Sequence, residues 1–172
     1  MKIYLFLIVS CLLFAFTGCF NEQDLTFDEF KLVEFEQAVT TAPTTSVGAT
    51  FPILTATRVA GTQNLQVNLV GTQFEDAQTL TFSIDTTINN YLKVYNATTV
   101  NTIRAEAGVH FDLKGATFSI DKATSKGTLS FDIKDPGANT GKFALFVIKL
   151  DGNDRIKPSE NHRRLGFRVN LN

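Results

Sequence analysis

The sequence predicts an all-β protein: a single antiparallel β-sandwich of about seven strands, preceded by a removable N-terminal segment. Three observations carry that expectation. Apolar residues beyond position 30 recur with period two, as in strands with one buried and one wet face. Turn-forming Gly, Pro, Asp and Asn residues punctuate those runs. No stretch of that part keeps a helical period over three turns, which leaves an α/β reading nothing to build on.

The chain opens with Lys2 and an apolar run over residues 3–16, then Phe16-Thr17-Gly18-Cys19. This pattern predicts a lipoprotein signal peptide over residues 1–18, cut after the small Gly18. Cys19 would then carry a thioether-linked diacylglycerol and an acylated amine. At about 0.8 kcal/mol per buried CH₂, several acyl chains anchor stably where one binds reversibly. Residues 19–26, with Asn21-Glu22-Gln23-Asp24, read as the lipidated tether, and residues 27–172 as the sandwich domain. Two other readings stand beside this one. Residues 3–20 are long enough to cross a bilayer as an uncleaved helix, and a signal could be cleaved without lipid attachment.

Val33 and Phe35 mark the first strand. Residues 40–57, rich in Thr, Ala and Ser and holding Pro43 and Pro52, read as a long crossing loop. Leu65, Val67 and Leu69 alternate with polar positions, as do Leu80, Phe82 and Ile84. Residues 86–104 form a second long connection with room for a short helical turn. Strands follow at Phe118 with Ile120, at Leu129, Phe131 and Ile133, and at Leu165, Phe167, Val169 and Leu171. Residues 143–150 are apolar at nearly every position, which fits a strand covered on both faces. Val70-Gly71-Thr72, Ser125-Lys126-Gly127, Asp135-Pro136-Gly137 and Asp151-Gly152-Asn153 are the reversal signals, and every proline falls between runs.

The chain has 16 basic and 17 acidic side chains. Loss of the signal takes Lys2 and no acid, leaving 15 against 17, a net charge of −2. That balance excludes the basic excess of a general nucleic-acid binder. An apolar share of 44% is that of a folded chain, and about 150 residues make one domain. Both cysteines are spoken for, Cys11 in the signal and Cys19 as lipid acceptor. The domain therefore has no thiol for a disulfide, a metal or nucleophilic catalysis.

Ala105-Glu106-Ala107-Gly108-Val109-His110-Phe111 resembles the Ala-x-x-Gly-x-Asp-Tyr signature of Calx-beta domains, which are immunoglobulin-like sandwiches. In those domains the signature is followed by a strand, a short turn and another strand. Residues 117–120 and 128–133 stand in those places, with 143–150 next, so the resemblance covers about residues 65–150. It extends to uncharacterised outer-membrane lipoproteins of Gram-negative glycan-degrading bacteria. Members of the family bind calcium through the signature Asp and acids at the loop ends. Here His110 and Phe111 replace that motif and the acidic clusters are missing, so the resemblance implies no calcium site and no cofactor.

Catalytic motifs are scarce. His110 with Asp112 and Glu160 with His162 are the histidine–carboxylate neighbours, and alternate strand positions would set His110 and Asp112 on one face. No nucleophile, metal-ligand spacing or phosphate loop accompanies them. Asp151-Gly152-Asn153-Asp154 lacks the continuation of a calcium loop and reads as a turn. Two groups suit contact instead. Tyr91 and Tyr95, in a polar connection, could stack on a sugar ring. Arg163, Arg164 and Arg168, with Arg155, Lys157 and His162, could face phosphate, an acidic glycan or a protein partner. The expectation is a non-enzymatic module anchored in the outer membrane, at the cell surface or on the periplasmic face. It would bind or scaffold a glycan or an envelope protein, or serve in periplasmic assembly; a small hydrolase accessory built around His110 is the third reading.

Overall fold

The structure, a computed structural model, describes residues 30–57, 60–98, 102–135, 137 and 141–171. The signal segment, Cys19, the tether and Pro136 lie outside them. Among the described residues are eleven strands: β1 Leu32–Phe35, β2 Ile53–Thr57, β3 Gly61–Val70, β4 Gln78–Ile84, β5 Thr102–Arg104, β6 Phe111–Leu113, β7 Thr117–Ile120, β8 Lys126–Ile133, β9 Phe143–Gly152, β10 Lys157–Pro158 and β11 Arg164–Asn170. Two helices accompany them, α1 Glu36–Thr40 and α2 Asn89–Thr98, with a 3-10 turn at Thr45–Val47.

All the strands belong to one curled sheet in the order β10-β1-β3-β8-β7-β4-β9-β11-β2, with β6 on β8 and β5 on β9. The seam between the layers is β7, which pairs with β4 over four residues and meets β8 only at Ile120 and Gly127. Opposite the seam, the gap between β1 and β11 is bridged by α1. The Phe35 N–H donates to the His162 carbonyl at 3.0 Å, and His162 Nδ1–H donates to the Ala38 carbonyl at 3.1 Å.

The period-two apolar positions face inward as their alternation requires. Four phenylalanines tie the layers together around Phe146, which stacks on Phe111 (4.3 Å between centroids) and Phe167 (5.3 Å) and meets Phe131 edge-on (5.6 Å). The apolar run of β9 is buried on both faces. Ala144, Phe146, Ile148 and Leu150 enter the main core, while Leu145 and Val147 meet a second apolar cluster outside the sheet. That outer cluster consists of Val47, Ala49, Phe51, Ile53 and Ile88, with Tyr91, Leu92 and Tyr95 against it.

All seven expected strands are present. The four additional ones are short, and three of them pair in parallel: β2 with β11, β5 with β9 and β10 with β1. Residues 40–57, expected as a loop, contain the 3-10 turn and the edge strand β2. The short helical turn expected between residues 86 and 104 is the ten-residue α2. Pro158 sits in β10 rather than between strands, at the sheet edge, where a missing N–H costs no ladder bond. Lys126 and Gly127, expected in a turn, already belong to β8.

Candidate functional site

The chain leaves β4 at Asp85, whose N–H donates to the Val147 carbonyl, and returns as β5 farther along β9. Between them α2 crosses the outer face of that layer. Ile88, Tyr91, Leu92 and Tyr95 fall at i, i+3, i+4 and i+7, a helical stripe turned onto the second core. Tyr91 is half-buried and edge-on to Phe51, with centroids 5.5 Å apart. Tyr95 is half-buried beside Arg168, whose guanidinium lies 4.7 Å from its ring and 3.5 Å from that of Phe143. Burial pushes the Tyr95 phenol up, and the Arg168 charge opposes the shift only in part. Burial likewise lowers the Arg168 guanidinium, with the tyrosine acting the other way. Tyr95 and Arg168 thus share one stack that pins α2 to the sheet.

The basic residues of the C-terminal region are dispersed. Arg164 Nε donates to the buried Asp85 carboxylate at 2.7 Å. Arg163 is half-buried, and its Nε is buried without a hydrogen-bond partner among the described residues. Arg155 lies over the Phe74 ring at 4.4 Å and pairs with Asp76 at 2.9 Å in an exposed ion pair.

His110 is buried in the turn that the signature forms. Its Nδ1 accepts the Glu106 N–H at 3.0 Å, and Gly108 takes a φ of +82° that suits glycine. Asp112 pairs instead with Lys134 at 2.8 Å. Both groups are engaged in holding β6 and its turn. Asp151 and Gly152, expected in a turn, still belong to β9, and the turn that follows is capped by the Asn153 side-chain oxygen, which accepts the Arg155 and Ile156 N–H groups at 2.9 and 2.8 Å. Among the described residues no group of three or more His, Cys, Asp or Glu could hold a metal ion, and no helix is long and apolar enough to cross a membrane.

A concave site does exist, at the open edge of the sandwich. A groove of about 380 Å³ lies between residues 38–43 on one side, Asn161 and His162 on the other, and Thr50. Ala38, Val39, Ala42 and Pro43 supply apolar surface; Thr40, Thr41, Thr50, Asn161 and His162 supply hydroxyl, amide and imidazole groups. Among the described residues no carboxylate, lysine or arginine lines it. The two backbone-directed bonds at His162 fix both walls. Since Nδ1 donates to Ala38, Nε2 of the neutral ring is an acceptor. The sequence sets His162 beside Glu160 and within a charge cluster, and neither reading reveals the groove, because the partner wall comes from a segment about 120 positions away.

The opposite layer presents a polar outer face. On the outer face of β3 stand Thr62, Asn64, Gln66 and Asn68, in register with Asp132, Ser130, Thr128 and Lys126 of β8. Thr62, Asn64 and Thr128 are exposed.

No family model and no curated protein matches the chain. Solved structures do match in fold. A candidate carbohydrate-binding protein from Bacteroides ovatus superposes with a TM-score of 0.55 at 11% identity, over 81% of this chain and 36% of that one. The apo form of the Calx CBD1 domain superposes with a TM-score of 0.55 at 12% identity, over 83% of this chain and 97% of that domain. The fold is Calx-beta-like. A two-domain Bacteroides fragilis protein of unknown function matches equally, at 0.55 and 11%, over 83% of this chain and 46% of its own. The chain therefore spans about a third of the B. ovatus protein, under half of the B. fragilis one, and nearly the whole Calx-beta domain. At these identities the likeness concerns the fold alone.

Proposed function

We propose that the chain is a lipid-anchored binding module of the cell envelope, held in the outer membrane through Cys19, and that its ligand is a glycan. The observation that carries this reading is the groove at the open edge. A sugar presents an apolar C–H face and a rim of hydroxyls, and the groove offers small apolar surface beside neutral hydrogen-bonding groups. Its uncharged lining favours a neutral sugar over an acidic one. The B. ovatus structure with the same fold is described as a candidate carbohydrate-binding protein, which supports the reading. The module acts by binding rather than catalysis, since His110 and Asp112 serve the turn and β6.

The test is binding of the detergent-solubilised full-length chain to an array of neutral and acidic oligosaccharides. We expect a neutral ligand whose affinity falls about tenfold or more in Asn161→Ala and in Thr50→Ala, on the scale of one lost hydrogen bond. Capture of acidic sugars only, or of none, would refute the groove as the site.

A further inference from the structure

The polar outer face of the β1–β3–β8–β6 layer carries a feature that folding does not require. A wet strand face tolerates many polar residues, yet asparagine is disfavoured in strands. Here two asparagines stand in β3: Asn64, paired with Ser130 of β8, and Asn68, which lies between Glu34 of β1 and Lys126 of β8. The wet-face side chains are also ordered by one another. Lys114 Nζ donates to Thr62 Oγ1 at 2.8 Å, and the Thr62 hydroxyl donates to Asp132 at 2.6 Å. The Ser130 hydroxyl donates to Asn64 Oδ1 at 2.6 Å. Gln66 Nε2 donates to Asn68 Oδ1 at 2.9 Å, and Asn68 Nδ2 donates to the Glu36 carboxylate.

The last bond matters for where this row leads. Glu36 begins α1, and residues 38–40 of the same helix wall the groove. A row of amides and hydroxyls thus runs along β3 and ends at the helix that shapes the concave site. From Thr62 to Asn68 it extends about 20 Å at 3.3 Å per residue. Its middle, Asn64, Gln66, Thr128 and Ser130, is uncharged, while acids and lysines of both signs stand at its ends. A flat, neutral row of fixed donors and acceptors complements an extended, hydroxyl-bearing, uncharged polymer. Its middle offers no cation to an acidic one.

We infer that this face is a contact surface for an extended neutral glycan, laid along β3 with one end reaching the groove. The inference rests on the glycan reading above and adds to it the length and charge of the ligand. Side chains already held in place lose little freedom on binding, which favours affinity that accumulates along the chain.

The experiment uses the full-length chain in detergent with malto-, cello-, xylo- and manno-oligosaccharides of two and eight units. The test variant is Asn64→Thr/Gln66→Thr, which removes both amides with residues favoured in strands. An Asn64→Lys variant, charged but suited to a wet face, serves as an independent probe should the double variant fold poorly. In the parent chain, the eight-unit member of one series should bind at least tenfold more tightly than the two-unit member. The double variant should lose that advantage while its Tm stays level or rises, and Asn64→Lys should lose it as well. Retention of the length advantage in both variants would overturn this surface and leave the groove standing. No binding to any sugar of either length would overturn the glycan reading and this inference together.

Discussion

Asp85 closes β4 at the point where the chain turns outward toward α2. It is 8% exposed, and burial alone would raise its carboxyl pKa. The Thr87 hydroxyl and N–H, at 2.6 and 2.9 Å, and the Arg164 guanidinium more than offset this, so the pKa lies below its ordinary 3.8. A depressed carboxylate stabilises the fold above its unfolded pKa, and that contribution fades as pH falls through the folded value. Urea midpoints taken from pH 6 downward should therefore decline below about pH 4 in the parent chain. Asp85→Asn should be less stable near neutrality, by about 1–3 kcal/mol, because it leaves the half-buried Arg164 without its counter-charge. The variant should also decline less steeply in acid. Parallel acid profiles for the two proteins would mean that Asp85 is not the titrating group. Phe146 is the other residue on which much depends. Its ring meets three others across the two layers, and Phe146→Ala should cost about 3–5 kcal/mol by calorimetry or urea unfolding. A loss under 1 kcal/mol would show that the two layers do not depend on it.

At the scale of elements, α2 is the informative case, because its evidence was present in the sequence and weak. Ile88, Tyr91, Leu92 and Tyr95 carry the helical period, but over only two turns and among Asn, Lys and Thr residues. Six of the seven expected strands were legible because apolar and polar positions alternate within them, and β9 because its unbroken apolar run fits a strand covered on both faces. Two- and three-residue strands such as β10 and β5 have no internal period to read. Their pairing is parallel and set by tertiary contact. β2 was hidden for a related reason: its inward positions are Leu54 and the small Ala56, and Ile53 is buried on the other face, so little alternation shows in a Thr- and Ala-rich segment. The groove was illegible because its two walls are joined by backbone bonds between distant segments. The helix α2 is held at its far end by Asn96, whose side chain accepts the Thr102 N–H at 2.7 Å and donates to the Thr102 carbonyl at 2.9 Å. At its near end Arg104 donates to Asn89 Oδ1 at 2.7 Å. Asn96→Ala should thus loosen α2 without touching the sandwich. Amide exchange within α2 should quicken about tenfold while exchange in β8 and β9 stays unchanged. Equal acceleration throughout would mean that α2 and the sheet open as one unit.

For the whole molecule, the quantity that bears on the proposed anchor is the distance between a lipid on Cys19 and the proposed ligand. Eleven residue steps separate Cys19 from Phe30, where the described chain begins, a reach of at most about 40 Å. A domain anchored there, as proposed, would sample only what lies near its own membrane. On the cell surface it would meet polysaccharide at the outer leaflet; on the periplasmic face it would meet envelope components. The proposed ligand separates these placements, since long neutral glycans reach the surface of the cell first. Protease treatment of intact cells should therefore remove the domain, and Cys19→Ser should move it from the membrane fraction to a soluble one. Protection until the outer membrane is breached would place the domain inside. Retention of Cys19→Ser in the membrane would point instead to an uncleaved helix over residues 3–20, the other anchor that the sequence permits.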